Sequence, residues 1–283
     1  MRATVYDTRH CDLGEGPLWH PERQQFFWFD INGRKLLSRD GDTPLEWQFD
    51  EHVSAAGWVD RDTLLIASQT ALLRFDIGSG GHEVLCPLEP DNPVTRSNDG
   101  RADPFGGFWI GTMGLQLEPG AGTIYRYYRG ALEALYPDIS ISNSICFAPD
   151  GKTAYFCDTP KQQIMAQSLD GEGWPEGAPE VLVDLRSEDL RPDGSVVDAL
   201  GGIWNAQYGS GRVARYLPDG RFDRAIDVPG ENTTCPAFGG AGLDQLFITT
   251  ARQGLATPDS HQGGTFVATP GITGLAEHRV ILA

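Results

Sequence analysis

The sequence predicts an all-β fold, a six-bladed β-propeller spanning residues 1–283 as one domain, and three observations predict it. A turn followed by a short aromatic or aliphatic strand closed by small or polar residues recurs six times: FFWFD at 26–30, TLLIA at 63–67, GFWIG at 107–111, TAYFC at 153–157, GIWNA at 202–206 and QLFIT at 245–249. Successive starts lie 37, 44, 46, 49 and 43 residues apart, the length of one blade of short strands. Turn signals are dense, among them Asn32-Gly33, Asp99-Gly100, Asp150-Gly151 and Asp219-Gly220, while no long helix-period segment accompanies the 35 glycines and 19 prolines.

The other segments take their places around these repeats. Alternating runs at 122–128 and 211–217 follow two repeats and fit outer blade strands. The polar stretch 169–179, rich in Gly, Pro and Trp, reads as a long surface loop. Residues 3–6 and 278–282 are both strand-like and are expected to pair, closing the ring and removing its open edges. Trp28, Trp109 and Trp204 lie inside repeated strands and read as blade core rather than stacking platforms.

Composition narrows the function. A formal charge of −17 and a pI near 4.6 oppose binding to nucleic acid or an anionic membrane surface. No apolar run has the length of a signal-peptide core at the N-terminus or of a membrane span elsewhere, so the expectation is a cytoplasmic protein. Its five cysteines, Cys11, Cys86, Cys146, Cys157 and Cys235, are scattered without a C-x-x-C pair and read as reduced packing residues.

The repeat register also singles out polar residues. Glu15 lies 12 residues before Phe27, Asn98 lies 11 before Trp109, Asn143 lies 12 before Tyr155 and Asp193 lies 11 before Trp204. Equivalent places in a propeller are related by rotation about the channel, so these four side chains are expected to share one space on its axis. Two carboxylates and two carboxamides there make a hard-cation site. Each has a structural alternative. Glu15 sits between glycines and Asn143 between serines, both in turn-compatible settings. Asp193 belongs to one of three Pro-Asp-Gly tripeptides, of which those at 149–151 and 218–220 read as plain β-turns. None of the six histidines falls in the axis register, and neither a Gly-x-Ser-x-Gly elbow nor a phosphate-cradling loop occurs, which leaves the oxygen-ligand cluster as the chemical centre.

At these residues the chain resembles the senescence marker protein (regucalcin) and gluconolactonase family of six-bladed propeller lactonases. The matching segments are LGEGPLW at 13–19, RSNDG at 96–100 leading to GTM at 111–113, Ser142-Asn143 leading to PDGK at 149–152, PDGSVVD at 192–198, and FGG at 238–240 leading to TTAR at 249–252. The resemblance implies that Glu15, Asn143 and Asp193 hold one divalent metal ion, and that Arg96 and Asn98 receive substrate hydroxyl and carbonyl oxygens. Where animal members of the family carry a substrate-contacting glutamate, this chain places Gln116, with Glu118 two residues on. The segment at 192–198 is similar to that of bacterial pentonolactonase-like members.

The expected activity is therefore metal-dependent hydrolysis of an aldono-1,4- or 1,5-lactone of five or six carbons to the sugar acid. Asp193 is expected to serve as both ligand and base, and calcium, zinc, magnesium, manganese and iron(II) all suit the ligand set. The expected partner is a small sugar lactone, with no nucleic acid and no membrane. The alternatives are a calcium-binding regulatory propeller with weak or no lactonase activity, an esterase on a non-sugar ester, and an interaction scaffold, for which the sequence offers no exposed apolar patch.

Overall fold

Six four-stranded antiparallel sheets, arranged as the blades of a propeller, account for the 24 strands of the computed structural model, which describes residues 1–282. Their innermost strands are Gly14–His20 (blade I), Val53–Asp60 (II), Thr95–Ala102 (III), Ser142–Phe147 (IV), Arg191–Val197 (V) and Asn232–Gly239 (VI). These six touch one another in a closed ring around the axis. No helix among the described residues is long and apolar enough to cross a membrane.

All six sequence repeats are the second strands of their blades, Gln25–Asp30, Thr63–Ser68, Phe108–Gly114, Thr153–Asp158, Ile203–Tyr208 and Gln245–Ala251. A second strand has sheet neighbours on both edges and blades packed on both faces, so its residues are apolar on both sides rather than alternating. Trp28, Trp109 and Trp204 are fully buried there, as expected of blade core. The runs at 122–128 and 211–217 contain the third strands Gly122–Tyr128 and Arg212–Tyr216. Stretch 169–179 is a loop held by one bridge, Leu169 to Pro175, and it lays Trp174 over the Arg126 guanidinium at 4.4 Å. All five cysteines are free thiols, and all but Cys86 are buried.

Ring closure differs from the sequence expectation. The N-terminal strand Thr4–Asp7 pairs with Thr265–Ala268, not with 278–282, and so supplies the outer edge of blade VI. Thr265–Ala268 already sits beside the second strand of that blade, and its free edge receives the N-terminus. Residues 278–282 lie between blades II and III instead. The Val280 N–H donates to the Trp58 carbonyl and the Ile281 N–H to the Gly106 carbonyl, each at 2.9 Å, and Val280 is buried in the core between blades II and III.

Beside it the carboxylate of Glu277 meets the guanidinium of Arg101, which also donates to the carbonyls of Ile145 (3.2 Å) and Ser195 (3.1 Å). One arginine of blade III thereby ties blades IV and V to the C-terminal segment. Both charges are nearly buried, so truncating one strands the other. Glu277→Ala is expected to lower the unfolding free energy by about 3 to 5 kcal/mol, read as a drop in denaturant midpoint. A change within error would show that Arg101 is satisfied by the two carbonyls alone.

Candidate active site

A bulge recurs in the innermost strands. In blade I two residues, Gly16 and Pro17, oppose the single Trp28; in III Asn98 and Asp99 oppose Gly111; in IV Ser144 and Ile145 oppose Phe156; in V Asp193 and Gly194 oppose Ala206. An extra residue bends a strand and re-aims its side chains. Glu15, Asn98, Asn143 and Asp193 all lie in or directly before these bulges, which is how four blades turn a polar side chain inward at one level. The local sequence permits it. Gly16 has φ +52°, and a Cβ there would stand 2.1 Å from the Ser54 carbonyl oxygen. A Cβ at Gly194 would stand 2.2 Å from the Cys235 sulfur.

The side chains of Arg96, Asn98, Asn143 and Thr159 form one linked group. Arg96 donates to Asn98 Oδ1 and to its neighbour's Ser97 carbonyl, both at 2.8 Å. Asn98 Nδ2 donates to Asn143 Oδ1 at 3.1 Å and to the Ser142 carbonyl at 2.8 Å, joining blade III to blade IV. Asn143 Nδ2 donates to Thr159 Oγ1 at 2.9 Å, and Thr159 Oγ1 donates to the Pro192 carbonyl at 2.8 Å, next to Asp193. The Asp193 carbonyl in turn accepts from Ser144 Oγ at 2.6 Å and from Asn205 Nδ2 at 3.0 Å. Asp193 lies within a strand rather than a turn, whereas Asp150 and Asp219 cap their turns by accepting the N–H groups of Lys152 and Arg221.

Electrostatics set Glu15 and Asp193 apart from other acids. Both are buried, at 5% and 6% exposure, and neither forms an ion pair among the described residues. Glu15 accepts the Gly16 N–H at 3.0 Å. Burial and the charge of Asp99 push its carboxyl up to about 8. Burial, then the charges of Glu15 and Asp99, raise Asp193 well above the carboxylate range. Arg96 feels both acids, but burial holds it down to about 10. With Glu15, Asp99, Asp193 and Glu277 set against the two arginines Arg96 and Arg101, the channel is short of positive charge. Glu15, Asp193 and the carboxamide oxygen of Asn143 are hard donors that fit a divalent cation. No cluster of three His, Cys, Asp or Glu side chains poised around a cation occurs among the described residues, so any such site rests on the carboxamide as its third donor.

Gln116 is not brought into this group. It is exposed on the loop between the second and third strands of blade III, at the site's end of the blade, and its N–H donates to Glu118 Oε2 at 2.9 Å. Glu118 is thereby folded back on its own loop. Sequence reasoning missed Asp99, whose charge bears on both acids, and Thr159, which holds Asn143. The bulge signal, two polar residues before Gly100, marks Asp99 once the fold is known. Thr159 carries no comparable mark, because it reaches the site from the end of a second strand.

A family model described as SMP-30/gluconolactonase/LRE-like region matches residues 13–252. The chain is 40% identical over 266 residues to a putative sugar lactone lactonase of Rhizobium meliloti (strain 1021), covering 90% of this chain and 89% of that one. It is 38% identical to the L-arabinolactonase of Azospirillum brasilense, over 96% and 93% of the two chains. Its structure superposes with a TM-score of 0.96 on a calcium-binding protein, regucalcin, from Agrobacterium tumefaciens, at 39% identity over 100% of this chain and 98% of that one.

Proposed function

The chain belongs to the SMP-30/gluconolactonase/LRE-like family and is a lactonase, and from that premise we propose that it opens a sugar lactone, a pentono- or hexonolactone, to its aldonic acid with one divalent cation held by Glu15, Asn143 and Asp193. What supports the reading is the burial of Glu15, Asn143 and Asp193, the hydrogen-bonded run from Arg96 through Asn98 to Asn143, and the charge that Glu15, Asp193 and Arg96 exert on one another. The chemistry a bound divalent ion supplies there is Lewis-acid polarisation of the lactone carbonyl.

The chain's own residues supply the rest. Asn98 and Arg96 bind the hydroxylated ring, with guanidinium N–H groups beyond those given to Ser97 and Asn98 left to donate to substrate oxygens. Asn143 is held in orientation by Asn98 and Thr159. The carboxylate of Asp193 takes the proton of the attacking water as its oxygen bonds to the carbonyl carbon. On collapse the bond from that carbon to the ring oxygen breaks, and the proton passes from Asp193 to the departing oxygen, leaving an open hydroxy acid. Gln116, exposed on the loop at the same end of blade III, bears on which sugar is preferred.

The test is acid release from a panel of pentono- and hexonolactones, followed with a pH indicator on chelator-stripped protein with single divalent metals restored, spontaneous hydrolysis subtracted. Turnover restored by metal supports the reading; lactone turnover indifferent to chelation removes the cation from it. Arg96→Ala is expected to raise KM by about tenfold or more while lowering kcat less, because it removes charge-assisted hydrogen bonds to substrate. An unchanged KM would take Arg96 out of the binding group.

A further inference from the structure

A cavity of about 490 Å3 opens between blades V and VI on the face that carries Glu15 and Asp193, and none of the residues so far assigned to catalysis lines it. The volume is in the range of small-molecule sites. Arg191 forms one wall. It begins the strand that holds Asp193 two residues on, about 7 Å along the chain. Tyr208 is its partner across the strand pair, so the groove begins at the same end of blade V that carries Asp193. The opposite wall is fixed by Gln253, whose carbonyl accepts from Asn232 Nδ2 at 2.9 Å and from the Tyr208 hydroxyl at 3.3 Å.

The chemistry of the lining is mixed. Arg191 is exposed and makes no hydrogen bond or ion pair among the described residues, so its fork of donors is free. Asp189 and Glu231 line the same groove and supply acceptors, which argues against a small anion as occupant. Free donors, one aromatic ring and carboxylate acceptors of which, among the described residues, only Asp189 Oδ1 is engaged, by Gln162 Nε2 at 2.9 Å, match a polyhydroxylated ring, which offers hydroxyls that both donate and accept. Resting on the lactonase reading, we propose that this groove is a second subsite, holding the further sugar unit of a glycosylated aldonolactone whose lactone ring lies at Asp193.

The experiment compares gluconolactone with its 4-O-glucosyl counterpart, maltobionolactone, in wild-type protein and in Arg191→Ala. Wild-type protein is expected to hydrolyse maltobionolactone with a kcat/KM at least equal to that for gluconolactone, and Arg191→Ala to lose about tenfold more on the disaccharide lactone than on the monosaccharide one. Calorimetric titration with the product acids is a second reading: maltobionate is expected to bind about tenfold tighter than gluconate, an advantage that Arg191→Ala erases. Turnover of gluconolactone with exclusion of maltobionolactone, or equal binding of the two acids, overturns the subsite and leaves the lactonase reading intact. Absence of turnover on every lactone fails the lactonase reading, and the two acids then decide the groove separately.

Discussion

Asp193→Ala is expected to abolish lactone turnover, with a fall in kcat of about a thousandfold or more. The substitution removes a carboxylate proposed both to take the proton of water and to hold the cation, and general-base catalysis alone contributes roughly 10²- to 10⁴-fold. The measurement is indicator-followed acid release at saturating substrate and metal. The same variant is expected to be at least as stable as the native protein without metal. Asp193 is a buried acid whose ionised form is opposed by burial and by the charges of Glu15 and Asp99, and its removal relieves that opposition. An inactive but normally folded protein therefore separates the chemical role from a structural one. Near-normal turnover would remove the base and ligand assignments together.

Asp198→Ala is expected to match Glu277→Ala in its effect on stability; Asp198 directly follows the strand that carries Asp193. Asp198 is fully buried and accepts four hydrogen bonds, from the N–H groups of Leu200 and Gly202, from Trp204 Nε1 at 2.8 Å and from Arg215 Nε at 2.7 Å. Asp103 and Arg126 repeat the arrangement in blade III, both fully buried, with the carboxylate accepting from the N–H groups of Phe105 and Gly107. In each blade the aspartate closes the turn into the second strand and neutralises an arginine from the third. Loss of the carboxylate leaves Arg215 Nε and three other donors unpaired, with Asp223, at 2.9 Å from Nη1, as the guanidinium's remaining acid, a cost of about 3 to 5 kcal/mol. By the usual scaling of about 2 to 4 °C per kcal/mol, the thermal midpoint falls by roughly 10 °C. Asp219→Ala is the control, since Asp219 pairs with Arg221 only in an exposed turn and its loss is expected to leave the midpoint in place. Equal effects of the two substitutions would show that the buried network adds nothing beyond turn formation.

Asp193 and Asp198 also show how far one local pattern can be read. PDGSVVD at 192–198 begins like a turn, and two other Pro-Asp-Gly tripeptides are turns. What separates Asp193 from Asp150 and Asp219 in the sequence is distance from the next repeated strand, and that distance placed it with Asn98, Asn143 and Glu15. The reason these four come inward is a shared bulge, which a one-residue excess in one strand creates and which no single strand displays by itself.

The blade count, the second strands and the register of the candidate site were determined by the sequence alone, because a propeller repeats one short supersecondary unit and a buried second strand must be apolar on both faces. The tertiary structure alone decided what depends on contacts between distant segments: the N-terminal strand completing blade VI, the C-terminal segment tying Glu277 to Arg101, and Asp99 and Thr159 joining the polar group. Segments 3–6 and 278–282 both have strand-like sequences, and only the edge left free by Thr265–Ala268 selects between them. Propensity describes what a segment can form, whereas the partner it forms it with is set by which unpaired edge and which buried charge the rest of the chain leaves open.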